Sequence, residues 1–276
     1  MRLLITKTKL RITYSISIIV IITLIFIWFS GIFTEQQWYE AYIFQVVVTI
    51  VPAFLAFLFL LYVAILYNLS TKVGKIWLLF ALGLLAWTIG EIIYSYYELF
   101  TDIDPFPSIA DFFYLIAFLP ITLGLIIQSR LIKIPLSIQE KIIITLLFIV
   151  ISTLVFITVI LLPVQEIYPI PDEEVFAYSV GILYPICDLI LILCVMIVYF
   201  KLRRGKINVA WILLLIAFLL DTIGDILFNW VVTVRKEEML FEPFDLFFIF
   251  GYIFVINSAI TMIYLMSKTF ENNQIN

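Results

Sequence analysis

Eight stretches of this chain, at about 14–33, 42–67, 75–97, 109–131, 141–163, 175–200, 208–232 and 244–267, are apolar and nearly free of charge. Each supplies the roughly 20 residues that an α-helix needs to cross about 30 Å of hydrocarbon. In lipid a backbone must satisfy its own hydrogen bonds, which only helices and closed barrels do. The period-two alternation of barrel strands is absent. The pattern predicts an all-α polytopic membrane protein of eight transmembrane helices, with no soluble domain of useful size. Composition agrees: 64% of residues are hydrophobic and 13% charged, against about one half and one quarter in soluble domains.

Basic residues set the expected orientation. Arg2, Lys7, Lys9 and Arg11 precede or open the first span, Lys72 and Lys75 follow the second, and Arg130, Lys133 and Lys141 follow the fourth. Lys201, Arg203, Arg204 and Lys206 follow the sixth, and Lys268 follows the eighth, so 14 of 16 basic residues fall on one side. Only Arg235 and Lys236 lie opposite, among the acids Glu35, Glu40, Glu98, Asp102, Asp104, Glu166, Asp172, Glu173, Glu174, Glu237, Glu238 and Glu242. The prediction is a multi-pass protein of the cell membrane with both termini cytoplasmic. The first apolar run is too long for a cleaved signal and lacks a small-residue cleavage site. Net charge is −4, which gives no reason to expect nucleic acid as a partner. The bilayer is the evident one.

A segment starting at Trp77 recurs 134 positions later at Trp211, without a gap. Thr88-Ile89-Gly90-Glu91 matches Thr222-Ile223-Gly224-Asp225, and Asp111-Phe112-Phe113-Tyr114 matches Asp245-Leu246-Phe247-Phe248. The matched Trp, the Thr-Ile-Gly block and the acids carry the comparison, since shared Leu and Ile are common in so apolar a chain. The single membrane domain 1–276 is thus read as two four-helix repeats, 1–134 and 135–276. An even number of helices per unit makes them parallel, related by an axis along the membrane normal.

Six carboxylates lie in or at the ends of the spans: Glu91, Asp111, Asp188, Asp221, Asp225 and Asp245. An ionised carboxylate at the bilayer centre costs roughly 2.5–3.5 kcal/mol on insertion scales, and no Lys, Arg or His lies in the interior of the apolar spans to offset it, Lys75, Arg130 and Lys141 standing at span ends. Such acids need a proton, hydrogen bonds, water or a bound cation, and each option implies a polar cavity opening outward. Asp111 also fits the third position of a capping box begun by Ser108, and Asp245 follows Pro243, a residue suited to a first helical turn. For these two, cap and site remain open readings. Glu91 and Asp225 have no capping explanation. Asp188 and Asp221 have Phe54 and Trp87 at the matched positions of the first half, which biases the expected pocket toward the second.

Aromatic residues concentrate at the same level, among them Trp38, Tyr39, Tyr42, Tyr94, Tyr96, Tyr97, Tyr114, Tyr178, Tyr184, Trp230 and Tyr252. Interfacial belts account for many such residues. Trp87, Glu91 and Tyr94, however, share a helix face, and Tyr184 lies one turn from Asp188. Aromatic faces beside carboxylates suit an organic cation, so a small cationic or lipid ligand is the expected occupant. The chain has no histidine, which removes His-dependent metal sites and catalytic triads, and no phosphate-binding glycine loop is present. No catalytic residue and no cofactor is assigned, and the sequence does not settle whether a metal binds. Cys187 and Cys194 are seven apart on one helix, too far to pair with each other.

Asp104-Pro105-Phe106-Pro107-Ser108-Ile109-Ala110-Asp111-Phe112-Phe113-Tyr114-Leu115 resembles the D-P-P-F-P-S-x-A-D-x-x-Y-L stretch of a known group. That group is the eight-helix membrane input region at the N-terminus of many prokaryotic PAS-containing histidine kinases and diguanylate cyclases. Tyr184-Pro185-Ile186-Cys187-Asp188-Leu189 resembles its Y-P-x-x-D-L element, and Arg203-Arg204-Gly205 with Trp211 its basic turn and tryptophan. Gly224-Asp225-Ile226-Leu227-Phe228 and Asp245-Leu246-Phe247-Phe248-Ile249-Phe250-Gly251-Tyr252 resemble its final motifs, so that the likeness spans roughly residues 75–260. The resemblance implies a membrane-embedded sensory or ligand-binding module that signals through its cytoplasmic end or a cytoplasmic partner. Members continue into cytoplasmic signalling domains, whereas this chain stops about ten residues after its eighth span. That leaves a stand-alone homologue working with a partner, or a piece of a longer sensor. Two alternatives stand beside it. Gly224-Asp225 is faintly similar to the glycine-acid pairs of lysoplasmalogenase-type lipid hydrolases, although the histidine of that family is absent. Parallel repeats with midplane carboxylates also occur in small cation transporters.

Overall fold

A computed structural model describes residues 6–30, 38–101, 103–167, 171, 174–203, 205, 207–232 and 243–275. Among these the chain forms α1 (Lys7–Ser30), α2 (Trp38–Leu66), α3 (Lys72–Phe100), α4 (Ile109–Leu131) and α5 (Ile138–Val155). A π-helical turn (Phe156–Leu161) and α6 (Leu162–Ile167) continue α5, and α7 (Val175–Leu202), α8 (Asn208–Trp230) and α9 (Pro243–Ile275) complete the fold. There is no strand among the described residues. Eight helical rods are long and apolar enough to cross a membrane, and the protein is an all-α polytopic membrane protein. Glu35, Asp102, Asp172, Glu173, Glu237, Glu238, Glu242, Arg2, Arg204, Lys206, Arg235 and Lys236 lie outside the described residues, as do the side chains of Trp38, Tyr39 and Glu166.

Helix ends follow local chemistry. Thr71 caps α3 by accepting the Gly74 N–H at 2.9 Å. Ser137 and Glu140 form a capping box at α5, and Ser108 and Asp111 form one at α4. Such reciprocal bonds satisfy backbone N–H groups that the first turn leaves without helical partners. The π-helical turn sits next to Pro163, which has no N–H to offer the carbonyl of Val159 four residues earlier. Tyr178 Oη donates to that carbonyl instead, at 3.2 Å.

Six helices close into a ring in the order α2, α3, α4, α7, α8, α9, with α9 returning to α2. The outer rods dock differently. α1 lies on α9, while α5 lies on α7. Tyr14 Oη pairs with Thr261 Oγ1, and Ser17 Oγ donates to Asn257 Oδ1 at 3.1 Å, so a short polar seam fixes α1 to the ring. The rest of α1 and α5 presents exposed Ile, Leu, Val and Phe side chains, as membrane-facing surfaces require.

The two helix pairs of the sequence comparison pack alike. Trp77 and Trp211 are both 1% exposed and meet at the centre with rings 5.8 Å apart. On α3, a Cβ at Gly90 would lie 2.7 Å from the Tyr114 ring of α4. On α8, a Cβ at Gly224 would lie 2.5 Å from the Phe248 ring of α9. Tyr114 and Phe248 stand 134 positions apart, as the two glycines do. Only glycine lets each ring come this close to the neighbouring backbone. Thr88 and Thr222 also repeat one contact, donating to the carbonyls of Leu84 and Phe218 at 2.7 and 2.8 Å.

Basic side chains at the opposite end of the bundle make ties of their own. Arg203 Nε contacts Glu140 Oε1 at 2.7 Å, and Lys201 Nζ donates to the Ser129 carbonyl at 2.6 Å. These join the ends of α5, α7 and α4. The two cysteines are free and half-buried.

Candidate functional site

The ring of helices encloses a partly open cavity of about 820 Å³, counting the space up to its mouth. It occupies the half of the bundle that holds the start of α2, α4 and α9 and the end of α3 and α8, away from Lys72, Lys75, Arg130 and Lys201. α3 contributes Trp87, Glu91, Tyr94, Ser95 and Glu98, and α4 contributes Asp111, Tyr114 and Phe118. α8 supplies Asp221, Asp225 and Phe228, and α9 supplies Phe244, Asp245, Phe248 and Tyr252. Tyr184 enters from α7, and Gln45, Val46 and Thr49 from α2.

Glycine geometry helps to place the acids. Gly90 and Gly224 bring α3 onto α4 and α8 onto α9, and the following residues, Glu91 and Asp225, then reach the cavity between the pairs. Three acids are held by named donors. Tyr252 Oη donates to Glu91 Oε1 at 2.6 Å, and Tyr114 is a second hydroxyl partner of the same carboxyl. The Ser108 N–H donates to Asp111 Oδ2 at 2.6 Å, and Tyr184 Oη donates to Asp111 Oδ1. Gln45 Nε2 donates to Asp245 Oδ2 at 2.7 Å. Through these bonds Glu91 ties α3 to α9 and α4, Asp111 ties α4 to α7, and Asp245 ties α9 to α2.

Asp221 and Asp225 are provided for differently. They lie four residues apart on one face of α8, and among the described residues no N–H or O–H donor reaches either carboxyl. Asp225 is 8% exposed, and its neighbour is the carboxyl of Asp188. Asp188 is fully buried, and neither of its oxygens has an N–H or O–H donor among the described residues. Two facing carboxyls bond to each other only when one carries a proton, so this pair needs one positive charge between them.

Eight of the nine residues expected from the sequence thus line one cavity: Glu91, Asp111, Asp221, Asp225, Asp245, Trp87, Tyr94 and Tyr184. Asp188 does not line it and stands behind Asp225 instead. Asp111 caps α4 with one oxygen, as the capping-box reading expects, and on the cavity wall its other oxygen accepts from Tyr184. Gln45, Thr49 and Ser95 were not anticipated. Gln45 and Thr49, four apart on an otherwise apolar helix, were the signal that could have shown them.

Six carboxyl side chains therefore share one cavity with Trp87, Phe118, Phe228, Phe244, Phe248 and four tyrosines, and among the described residues no Lys or Arg is in the lining. The acids are spread around the wall. No group of three or more Asp, Glu or Cys side chains among the described residues is gathered as metal ligands. Comparison with models of known protein families, with curated proteins and with solved structures finds no match to this chain.

Proposed function

We propose that the protein is a membrane-embedded ligand-binding module of sensory type, with the acidic aromatic cavity as its input site. The observation that carries the proposal is the shared ownership of that cavity: α2, α3 and α4 wall one side, and α7, α8 and α9 the other. A ligand bridging the two sets would favour one relative placement of them, and unequal affinity for two placements is what a sensor requires. The matched contacts of Gly90 with Tyr114 and Gly224 with Phe248 support two parallel four-helix repeats. The distribution of basic residues supports a cell-membrane protein with cytoplasmic termini and a cavity facing outward. Output would then leave through the basic ends of α4 and α9, to a cytoplasmic domain or partner, in line with the resemblance to kinase and cyclase input regions.

The test uses purified protein in lipid nanodiscs with spin labels at positions 130 and 268. Simple amines, metal cations and lysophospholipids are titrated in turn, following Trp fluorescence for binding and the label-to-label distance for response. One class is expected to give a saturable signal and a distance change, both weakened in Glu91→Gln. Binding without a distance change in any class would leave a binding protein and remove the sensor. No saturable signal at all would remove both.

A further inference from the structure

We infer that the occupant of the cavity is an organic cation whose ammonium group is held by Asp221 and Asp225. This rests on the cavity being a ligand site and names the ligand's chemistry. The acids of the wall fall into two sets. Glu91, Asp111 and Asp245 already accept from Tyr252, Tyr184 and Gln45, so their lone pairs are partly occupied by the protein itself. Asp221 and Asp225 face the same cavity without an N–H or O–H donor among the described residues. Asp225 is at the same time 8% exposed and lines the cavity, and its one partner there is another carboxyl, that of Asp188, so the pair needs a positive charge, from a proton or a ligand. Behind it, Asp188 is fully buried with both oxygens lacking donors. Three neighbouring carboxyls, with no cationic side chain beside them among the described residues, leave a deficit of positive charge at one spot.

Spacing and surroundings select the kind of cation. Side chains four apart on a helix start about 5–6 Å from each other, so one ammonium can donate to both carboxyls. Among the described residues these neighbouring acids do not converge as a set of three ligands around one point, which disfavours a dehydrated divalent metal. The walls nearby are aromatic: Tyr252 lies within electrostatic reach of both Asp221 and Asp225, and Tyr184 of Asp225. Phe228 and Phe248 add apolar faces. Aromatic faces attract cations and also shelter an apolar body, which a hydrated metal ion does not have. A primary amine with an apolar or aromatic body matches both halves of this lining.

Isothermal titration of the purified protein in nanodiscs with benzylammonium, benzyl alcohol, sodium and calcium decides the matter. Benzylammonium is expected to bind one per chain and roughly thirtyfold or more tighter than benzyl alcohol, the scale for leaving a buried charge unpaired. Asp221→Asn and Asp225→Asn should each weaken it by roughly tenfold or more, while Asp225→Glu, which keeps the charge, retains most of the affinity. Equal binding of benzyl alcohol, or calcium binding tighter than the amine, would overturn the assignment and leave a cavity that binds ligands of another class. Amine binding unaffected by both Asn variants would overturn the subsite. If lysophospholipid binds and the amine does not, this inference falls alone; if no probe of any class binds, the proposed input site falls with it.

Discussion

The α3–α4 pair and the α8–α9 pair share a steric frame and differ in charge. Each places a glycine against an aromatic ring, a threonine on the carbonyl one turn earlier and a buried tryptophan at the centre. At two matched positions the halves part company. Trp87 packs edge-on to Phe118 with rings 5.6 Å apart and donates to the Tyr114 carbonyl at 3.2 Å, whereas its counterpart Asp221 faces the cavity with no donor among the described residues. Phe54 is 44% exposed in the middle of α2, whereas its counterpart Asp188 is wholly buried. Packing tolerates little change in shape, while a polar cavity accepts new charge wherever water or a ligand can answer it. The frame could therefore be kept while the acids gathered on one side.

Breaking the frame should produce the largest effects. Trp77→Ala and Trp211→Ala should each destabilise by roughly 3–5 kcal/mol, read as loss of thermal stability in detergent. Because the two rings touch, the double variant should lose less than the sum of the singles. Clearly unequal single losses would show that the halves lean on this contact differently. Next come Gly90→Ala and Gly224→Ala, whose new methyl groups would sit against Tyr114 and Phe248. Overpacking of this kind costs about 1–3 kcal/mol, and similar costs at both sites would uphold the steric equivalence. The smallest effect sharpens a difference. Ser108→Ala should cost about 1 kcal/mol and speed amide exchange in the first turn of α4. The first turn of α9 is begun by Pro243 and has no serine cap to lose. Comparable exchange changes in both turns would contradict that distinction.

Much of this was legible residue by residue. The eight spans followed from apolar length, and the Ser108–Asp111 box from a four-residue pattern, because both depend on chain neighbours only. The matched Gly90 and Gly224 were visible as letters, but the rings they admit were not. Asp188 illustrates the limit. Its place inside an apolar span marked it as a candidate, and only the packing of α7 against α8 placed it behind Asp225 rather than on the cavity wall. The part of α2 in the site was missed for the same reason, since Gln45 meets Asp245 across 200 residues of sequence.

By itself, then, the sequence determined a bundle of membrane-spanning helices, their lengths, several of their caps and the residues too polar to face lipid. Those follow from transfer free energies and hydrogen bonds within a single turn. Tertiary structure alone decided which acids acquire partners. Tyr252 reaches Glu91, Tyr184 reaches Asp111 and Gln45 reaches Asp245 only because the ring of helices closes. The same closure leaves Asp221 and Asp225 on the cavity wall with no N–H donor among the described residues, since a donor's reach is about 3 Å and no pattern along the chain specifies distances that short between helices.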